Sequence, residues 1–108
     1  MRVSFSPRAT RQVNEIYSYI ARDNAAAALR VVDRIYAITS YLADYPGVGR
    51  ATDLRDVRVI PARPYPYLIF YRLVPERMEV RILRVRHAAR RPLVLNDPER
   101  DFIHQDSI

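Results

Sequence analysis

Tyr65 to Arg91, YPYLIFYRLVPERMEVRILRVRHAARR, decides the fold of this 108-residue chain. Tyr67 to Val74 is apolar at both parities and rich in β-branched and aromatic residues, the composition of a central strand covered on both faces. Arg72 is the one charge inside it. Pro75-Glu76 punctuates a turn, and Met78 to Val85 supplies a return strand in which Met78, Val80 and Ile82 alternate with Glu79 and Arg81. At Leu83 the alternation shifts: Leu83, Val85 and His87 share one parity, while Arg84 and Arg86 take that of Val80 and Ile82. Either the strand is bulged there, or its arginines line one end of an otherwise apolar face.

On the N-terminal side of this hairpin, Val57, Val59 and Ile60 predict a further strand, which Pro61, Pro64 and Pro66 place near an edge or end early. At the start of the chain Arg2 to Phe5 reads as a short strand. Ser6-Pro7 then begins a helix, because serine caps free N–H groups and proline loses nothing at the first helical position. Ala9, Val13, Ile16, Tyr17 and Ile20 recur at helical spacing. Asp23 or Asn24 caps a second helix with an apolar stripe of Ala28, Leu29, Val32, Ile35, Tyr36, Thr39 and Leu42. Tyr45-Pro46-Gly47-Val48-Gly49-Arg50 ends it. This turn holds both glycines of the chain, so its backbone needs either positive φ or close approach to a neighbour.

The order strand, helix, helix, three strands defines an α+β fold, with an α-helical hairpin packed on one face of a small antiparallel sheet. One domain spans residues 1–91, followed by an acidic tail at 92–108. Within the tail, Asp97-Pro98-Glu99 repeats the cap-then-proline signal and predicts a short helix from Asp97 through Ile103, one that needs the body or a partner to hold it in water.

All 18 basic residues are arginine. A GC-rich genome gives the same bias, but the consequence is chemical either way: arginine stays charged and grips phosphate or carboxylate with a planar fork, so no lysine serves as a tunable base. Residues 1–91 carry 17 arginines against 8 acids, a balance of +9, whereas residues 92–108 carry one arginine against four acids, a balance of −3. The tail opposes the body in sign, and the whole, at +6, points to an acidic partner. With no cysteine and only His87 and His104, neither disulfides nor a multi-histidine metal site is expected, and nothing suggests a cofactor. No apolar run reaches the ~20 residues of a membrane-spanning helix, and the first ten residues lack the apolar region of a secretion signal, which predicts a cytoplasmic protein without membrane contact.

Several of these arginines are candidates for a functional surface. Arg84, Arg86, Arg90 and Arg91 concentrate beside His87 and form either a binding surface or a solvated strand end. Arg72, costly inside an apolar strand unless paired, marks a buried bridge to Asp53, Asp56 or Glu15, or else a surface position. His87 either bonds to backbone where the last strand ends or takes part in target contact or catalysis. The tyrosines at 17, 36, 67 and 71 fall on the apolar pattern and read as core rather than as stacking platforms.

Four features stand in one order: Ser6-Pro7 before an amphipathic helix, Tyr45 to Arg50 after the second helix, Tyr67 to Arg72, and Arg84-Val85-Arg86-His87-Ala88-Ala89-Arg90. Together they resemble the ParE branch of the RelE/ParE toxin superfamily over roughly residues 3–91. The resemblance implies a growth-inhibiting toxin of a type II toxin–antitoxin module, neutralised by a cognate antitoxin in a hetero-oligomer that represses its own promoter, with operator DNA touched only through the antitoxin complex. ParE-like members poison DNA gyrase; RelE-like members cut messenger RNA in the ribosome. The Arg81 to Arg91 pattern sits closer to ParE, which ranks a non-enzymatic gyrase poison first. A nuclease would use Arg72 and Arg84 on the phosphate and His87 as acid or base, but no second proton-transfer partner is evident, and Arg58 or Arg63 titrate too high to serve. A third reading is a non-toxic, antitoxin-bound regulatory partner whose acidic tail masks the basic face. For target or antitoxin binding the expected residues are Arg58, Arg63, Arg72, Arg84, Arg86, His87, Arg90 and Arg91.

Overall fold

Ser6 joins the first strand, β1 (Arg2–Phe5), to the first helix, α1 (Pro7–Ala21), in a computed structural model that describes residues 1–90. Its hydroxyl accepts the Ala9 N–H at 3.0 Å, and Pro7 occupies the first helical turn. Asn24, rather than Asp23, caps the second helix, α2 (Ala25–Asp44), accepting from Ala27 N–H at 2.9 Å. Helix α2 buries Ala28, Val31, Ile35, Ile38, Thr39 and Leu42. This stripe is rotated from the expected one, since Leu29 and Tyr36 are 52% and 44% exposed while Val31 and Ile38 point inward. Both sets recur at helical spacing, and only the position of the sheet decides between them.

The sheet has five strands in the order β1-β5-β4-β3-β2, where β2 is Arg50–Ala51, β3 is Val57–Pro61, β4 is Tyr67–Val74 and β5 is Glu79–His87. The central position of β4 agrees with its apolar composition at both parities. All pairings are antiparallel except the first: β1 lies parallel to β5, with Arg2 opposite Glu79 and Phe5 opposite Ile82. The two-residue β2 was not anticipated, being too short for a periodic signal. Pro75–Arg77 forms a single 3-10 turn between β4 and β5, and Met78, left-handed at φ 52°, completes it.

Both helices pack on one face of this sheet, where Ala9, Val13, Val31, Ile35, Leu42, Ile69, Tyr71, Val80, Ile82 and Val85 form the main core. A second, smaller cluster of Val57, Val59, Phe70 and Leu83 lies on the opposite face. The glycine turn closes the core by close approach, with positive φ at neither glycine. Tyr71 Oη accepts the Gly49 N–H at 2.8 Å and donates to the Pro46 carbonyl at 2.8 Å, and a Cβ at Gly49 would lie 2.5 Å from that oxygen. Burial raises the Tyr71 pKa, an effect partly offset by the Gly49 hydrogen bond and the nearby Arg58 charge. The phenol therefore holds its proton and its place as donor. Nothing stands within 4 Å of a Cβ at Gly47. The expected helix from Asp97, the acidic tail and Arg91 lie outside the described residues.

Candidate functional site

The break in alternation at Leu83 is a β-bulge. Tyr71 pairs with Ile82 and Phe70 with Arg84, so Leu83 is the extra residue between two adjacent pairs. Without it, Arg84 and Arg86 would continue the parity of Val80 and Ile82 and drive two guanidinium groups into the helix-covered core. The bulge turns them to the other face. Three polar contacts from α1 and its cap hold it there. The Ser6 N–H donates to Ile82 O at 2.9 Å and the Ser6 hydroxyl to Leu83 O at 2.8 Å, while Gln12 Oε1 accepts the Val85 N–H at 2.7 Å. Ser6, wholly buried, thus caps a helix and anchors a bulge with one side chain.

The face away from the helices, called here the open face, gathers the result. The Phe70 ring lies between two cations, with the Arg84 guanidinium carbon 5.9 Å and the Arg86 carbon 5.1 Å from its centroid. Both arginines are buried, at 5% and 8% exposure, and Arg86 also donates to the His87 carbonyl at 3.1 Å. Farther down the same face Arg72 and Arg81 stand directly opposite one another. Arg72 shows no ion pair with Asp56 or Glu15 among the described residues and is partly exposed, so it is not a buried bridge to either. Arg81 reaches Ser4 Oγ at 3.4 Å. At the β1 edge Glu79, 5% exposed, accepts a short hydrogen bond from the Ser4 hydroxyl, with Arg2 and Arg77 at 3.8 and 4.0 Å. The Ser4 bond, more than the surrounding arginines, holds the Glu79 carboxyl below the usual glutamate range.

His87 is not part of this surface. It pairs with Tyr67 on the helix-side parity, its ring meeting that of Tyr67 edge-on at 5.3 Å, and its Nδ1 accepts the Ala89 N–H at 3.0 Å. That bond places the proton of the neutral ring on Nε2. Tyr67, five residues from Arg72 along β4, sits about 17 Å away at the usual strand rise. Burial, with Tyr19 as a lesser cause, raises its pKa, so it too keeps its proton. Arg72 and Arg84 therefore share a face, whereas His87 lies on the other side of the sheet.

The remaining candidates disperse. Arg58 pairs with Tyr71 and donates to the Gly49 carbonyl at 2.7 Å, which makes it part of the glycine-turn latch. Arg63 is exposed in the β3–β4 loop, where its carbonyl accepts from Arg34 Nε at 2.6 Å. Of Arg90 only the backbone is described, in the 3-10 turn Ala88–Arg90. Phe70, Leu83, Arg81 and Glu79 belong to the open face and were not among the site residues expected from sequence. The shift of parity at Leu83 was the available signal for the first two. The arrangement can bind an acidic ligand between cations and an apolar patch, while His87 lies on the opposite side of the sheet from Arg72 and Arg84.

A profile described as "ParE toxin of type II toxin-antitoxin system, parDE" matches residues 3–92. The chain therefore belongs to the ParE toxin family of type II toxin–antitoxin systems. It is 39% identical over 87 residues to a Sinorhizobium fredii protein named putative toxin Y4kP, covering 81% of this chain and 88% of that one. To toxin RelE2 of Caulobacter vibrioides it is 38% identical over 85 residues, covering 77% and 90%. The toxin fold itself is shared with a chain of the chromosomal ParDE system of P. aeruginosa, at a TM-score of 0.70 and 23% identity over 81% of this chain and 95% of that one. Among the described residues no helix is long and apolar enough to cross a membrane.

Proposed function

We propose that this ParE-family toxin arrests growth by trapping DNA gyrase through protein–protein contact, without bond-making chemistry of its own. One observation carries the reading: the bulge puts Arg84 and Arg86 on the open face around Phe70, while His87 is turned to the opposite side and bonded to backbone. Cleavage of RNA by a 2′-hydroxyl needs a base, an acid and phosphate stabilisation within reach of one phosphate. Here the cations converge and the acid–base groups do not. The surface suits recognition of carboxylates or phosphates by arginine forks beside an apolar anchor.

The partner that neutralises the toxin is a cognate antitoxin, an acidic chain that folds on binding and sets its carboxylates on Arg72, Arg84 and Arg86. Autoregulation follows through that hetero-oligomer, which contacts operator DNA by way of the antitoxin. The neighbour solved as part of a ParDE system supports such an assembly. A ribosome-dependent nuclease is the second reading, favoured by the relative named RelE2. Purified gyrase incubated with excess full-length chain separates them: the gyrase reading expects loss of supercoiling with accumulation of cleaved DNA. Ordinary supercoiling, together with cut transcripts in induced cells, overturns it.

A further inference from the structure

Helix α2 carries a second cationic surface, on the side of the sheet away from Arg84 and Arg86. Arg30, Arg34, Tyr41 and Tyr45 follow one another at steps of 4, 7 and 4 residues. At 3.6 residues per turn this sets them within about 60° on one flank of the helix. All four are exposed, the tyrosines at 48% and 57%. Arg34 Nε donates to the Arg63 carbonyl at 2.6 Å, which steadies that guanidinium and brings the exposed Arg63 of the β3–β4 loop beside α2. The bond uses Nε alone and leaves the two terminal nitrogens of the fork for a ligand. Among the described residues, Arg30, Arg34 and Arg63 form no ion pair.

Nearby acids do little to offset this charge. Asp33 and Asp44 of α2 lie about 40–60° outside the flank. Neither the loop Ala62–Pro66 nor the turn Tyr45–Arg50 holds an acid. Arg30 and Arg34, one turn apart, repel each other and weaken the helix, so the fold gains nothing by keeping them. The tyrosines are equally unused by the core. Their rings stack on each other at 4.7 Å with 30° between planes, and neither joins the buried cluster. One exposed ring is ordinary, but a stacked pair in solvent presents an outer π-face on which a further planar ring continues the stack. Cations alone suit any anion; cations in line with such a face suit nucleotides. Arg34 and Tyr41 stand about 10 Å apart along the helix axis, the rise of about three stacked nucleotides, and Arg30 to Tyr45 spans about six.

We infer that this flank of α2 binds single-stranded nucleic acid, with an unpaired base stacked on the Tyr41–Tyr45 pair and phosphates on Arg30, Arg34 and Arg63. A duplex fits less well, because its bases are already stacked on one another and offer no face to a ring. The site stands across the sheet from the Phe70 surface and does not depend on which target the toxin acts upon.

Fluorescence anisotropy with the full-length chain at low salt tests the site, using labelled oligothymidine and oligouridine of about 12 nucleotides, roughly twice the span above. Binding of either supports it, and the tighter of the two names the source. Affinity should exceed that for a duplex of the same length and fall with salt at a log–log slope of about −2, as three neutralised phosphates require. Tyr41→Leu with Tyr45→Leu, which leaves the charge unchanged, should weaken single-strand binding at least about tenfold. Arg34→Gln with Arg63→Gln should also weaken it and shrink the slope by about 1.4. Arg63→Gln alone, in a loop, gives a smaller change of the same kind without touching the helix. Equal binding of duplex, unchanged affinity in the tyrosine variant, or a loss confined to Arg84→Gln, Arg86→Gln overturns the inference. Tighter binding of poly-glutamate overturns it too and assigns the flank to an acidic protein. None of these readouts involves gyrase or growth, so failure here and failure of the toxin mechanism are separable.

Discussion

The two faces of the sheet are built from the same strands and answer to different demands. On the helix side, Ile69, Tyr71, Val80 and Ile82 meet Val13, Val31, Ile35 and Leu42, and the polar atoms there are bonded within the fold: Tyr71 to Gly49 and Pro46, Ser6 to Leu83. On the open side the same two central strands present Phe70 between Arg84 and Arg86, with Arg72 opposite Arg81. Like charges set directly across a strand pair oppose folding. On the function proposed above, a face that keeps them receives a ligand of opposite charge. The single residue Leu83 separates the two designs, since removing the bulge would exchange their occupants beyond it.

The contrast makes graded predictions. The largest loss of stability is expected on the helix side: Ile35→Ala removes a fully buried side chain and should lower unfolding free energy by about 2–5 kcal/mol in a denaturant titration. Ser6→Ala should follow at about 2–3 kcal/mol, as a lost helix cap adds to the loss of the buried Leu83 carbonyl's side-chain donor. Its signature beyond stability is at the bulge, where exchange of the Val85 amide should quicken; an unchanged rate there would separate Ser6 from the bulge. On the open side, replacing Arg84 and Arg86 by Gln should act on recognition. Affinity for the proposed antitoxin partner is expected to fall about 10- to 100-fold per arginine by calorimetry. A fall in stability with unchanged affinity would place these arginines in the fold rather than in the binding surface.

A smaller effect concerns pH. Because Glu79 has a lowered pKa in the folded state, its contribution is present above the ordinary glutamate range and is lost as pH falls through the depressed folded value. The unfolding midpoint should therefore drop on acidification below that ordinary range, and Glu79→Gln should flatten this part of the profile. An identical acid limb in the variant would assign the drop to other carboxylates.

How far these features were readable from sequence follows from how local their causes are. Ser6-Pro7 and the Pro75-Glu76 turn act within a few residues and could be placed at once, as could the strand at Tyr67–Val74. The second helix could be found but not oriented, because Ala28, Leu29, Val31, Val32, Ile35, Tyr36 and Ile38 offer two overlapping apolar stripes. At Leu83 the parity break was visible while its sense was not, since a bulge and a cation-lined core end give the same string of letters. Arg50–Ala51 becomes a strand only through pairing with Arg58 and Val59, a long-range cause. Among candidate site residues, Arg72, Arg84 and Arg86 meet on one face, whereas His87, their neighbour in sequence, falls on the other. Two neighbours on a strand point to opposite sides, so the residue next to Arg86 is the one least able to share its surface.

The most direct measurement is a gyrase supercoiling and cleavage assay run in parallel on the parent, on His87→Ala and on the doubly substituted Arg84→Gln, Arg86→Gln chain. We expect the parent to abolish supercoiling with accumulation of cleaved DNA. His87→Ala should stay within about tenfold of it, the scale of a single contact, and the double arginine variant should lose most of the effect. Inactive parent protein in this assay, joined to a loss on the order of 10²–10⁴ in transcript cleavage on replacing His87, would contradict the account and return the histidine to the centre of the mechanism.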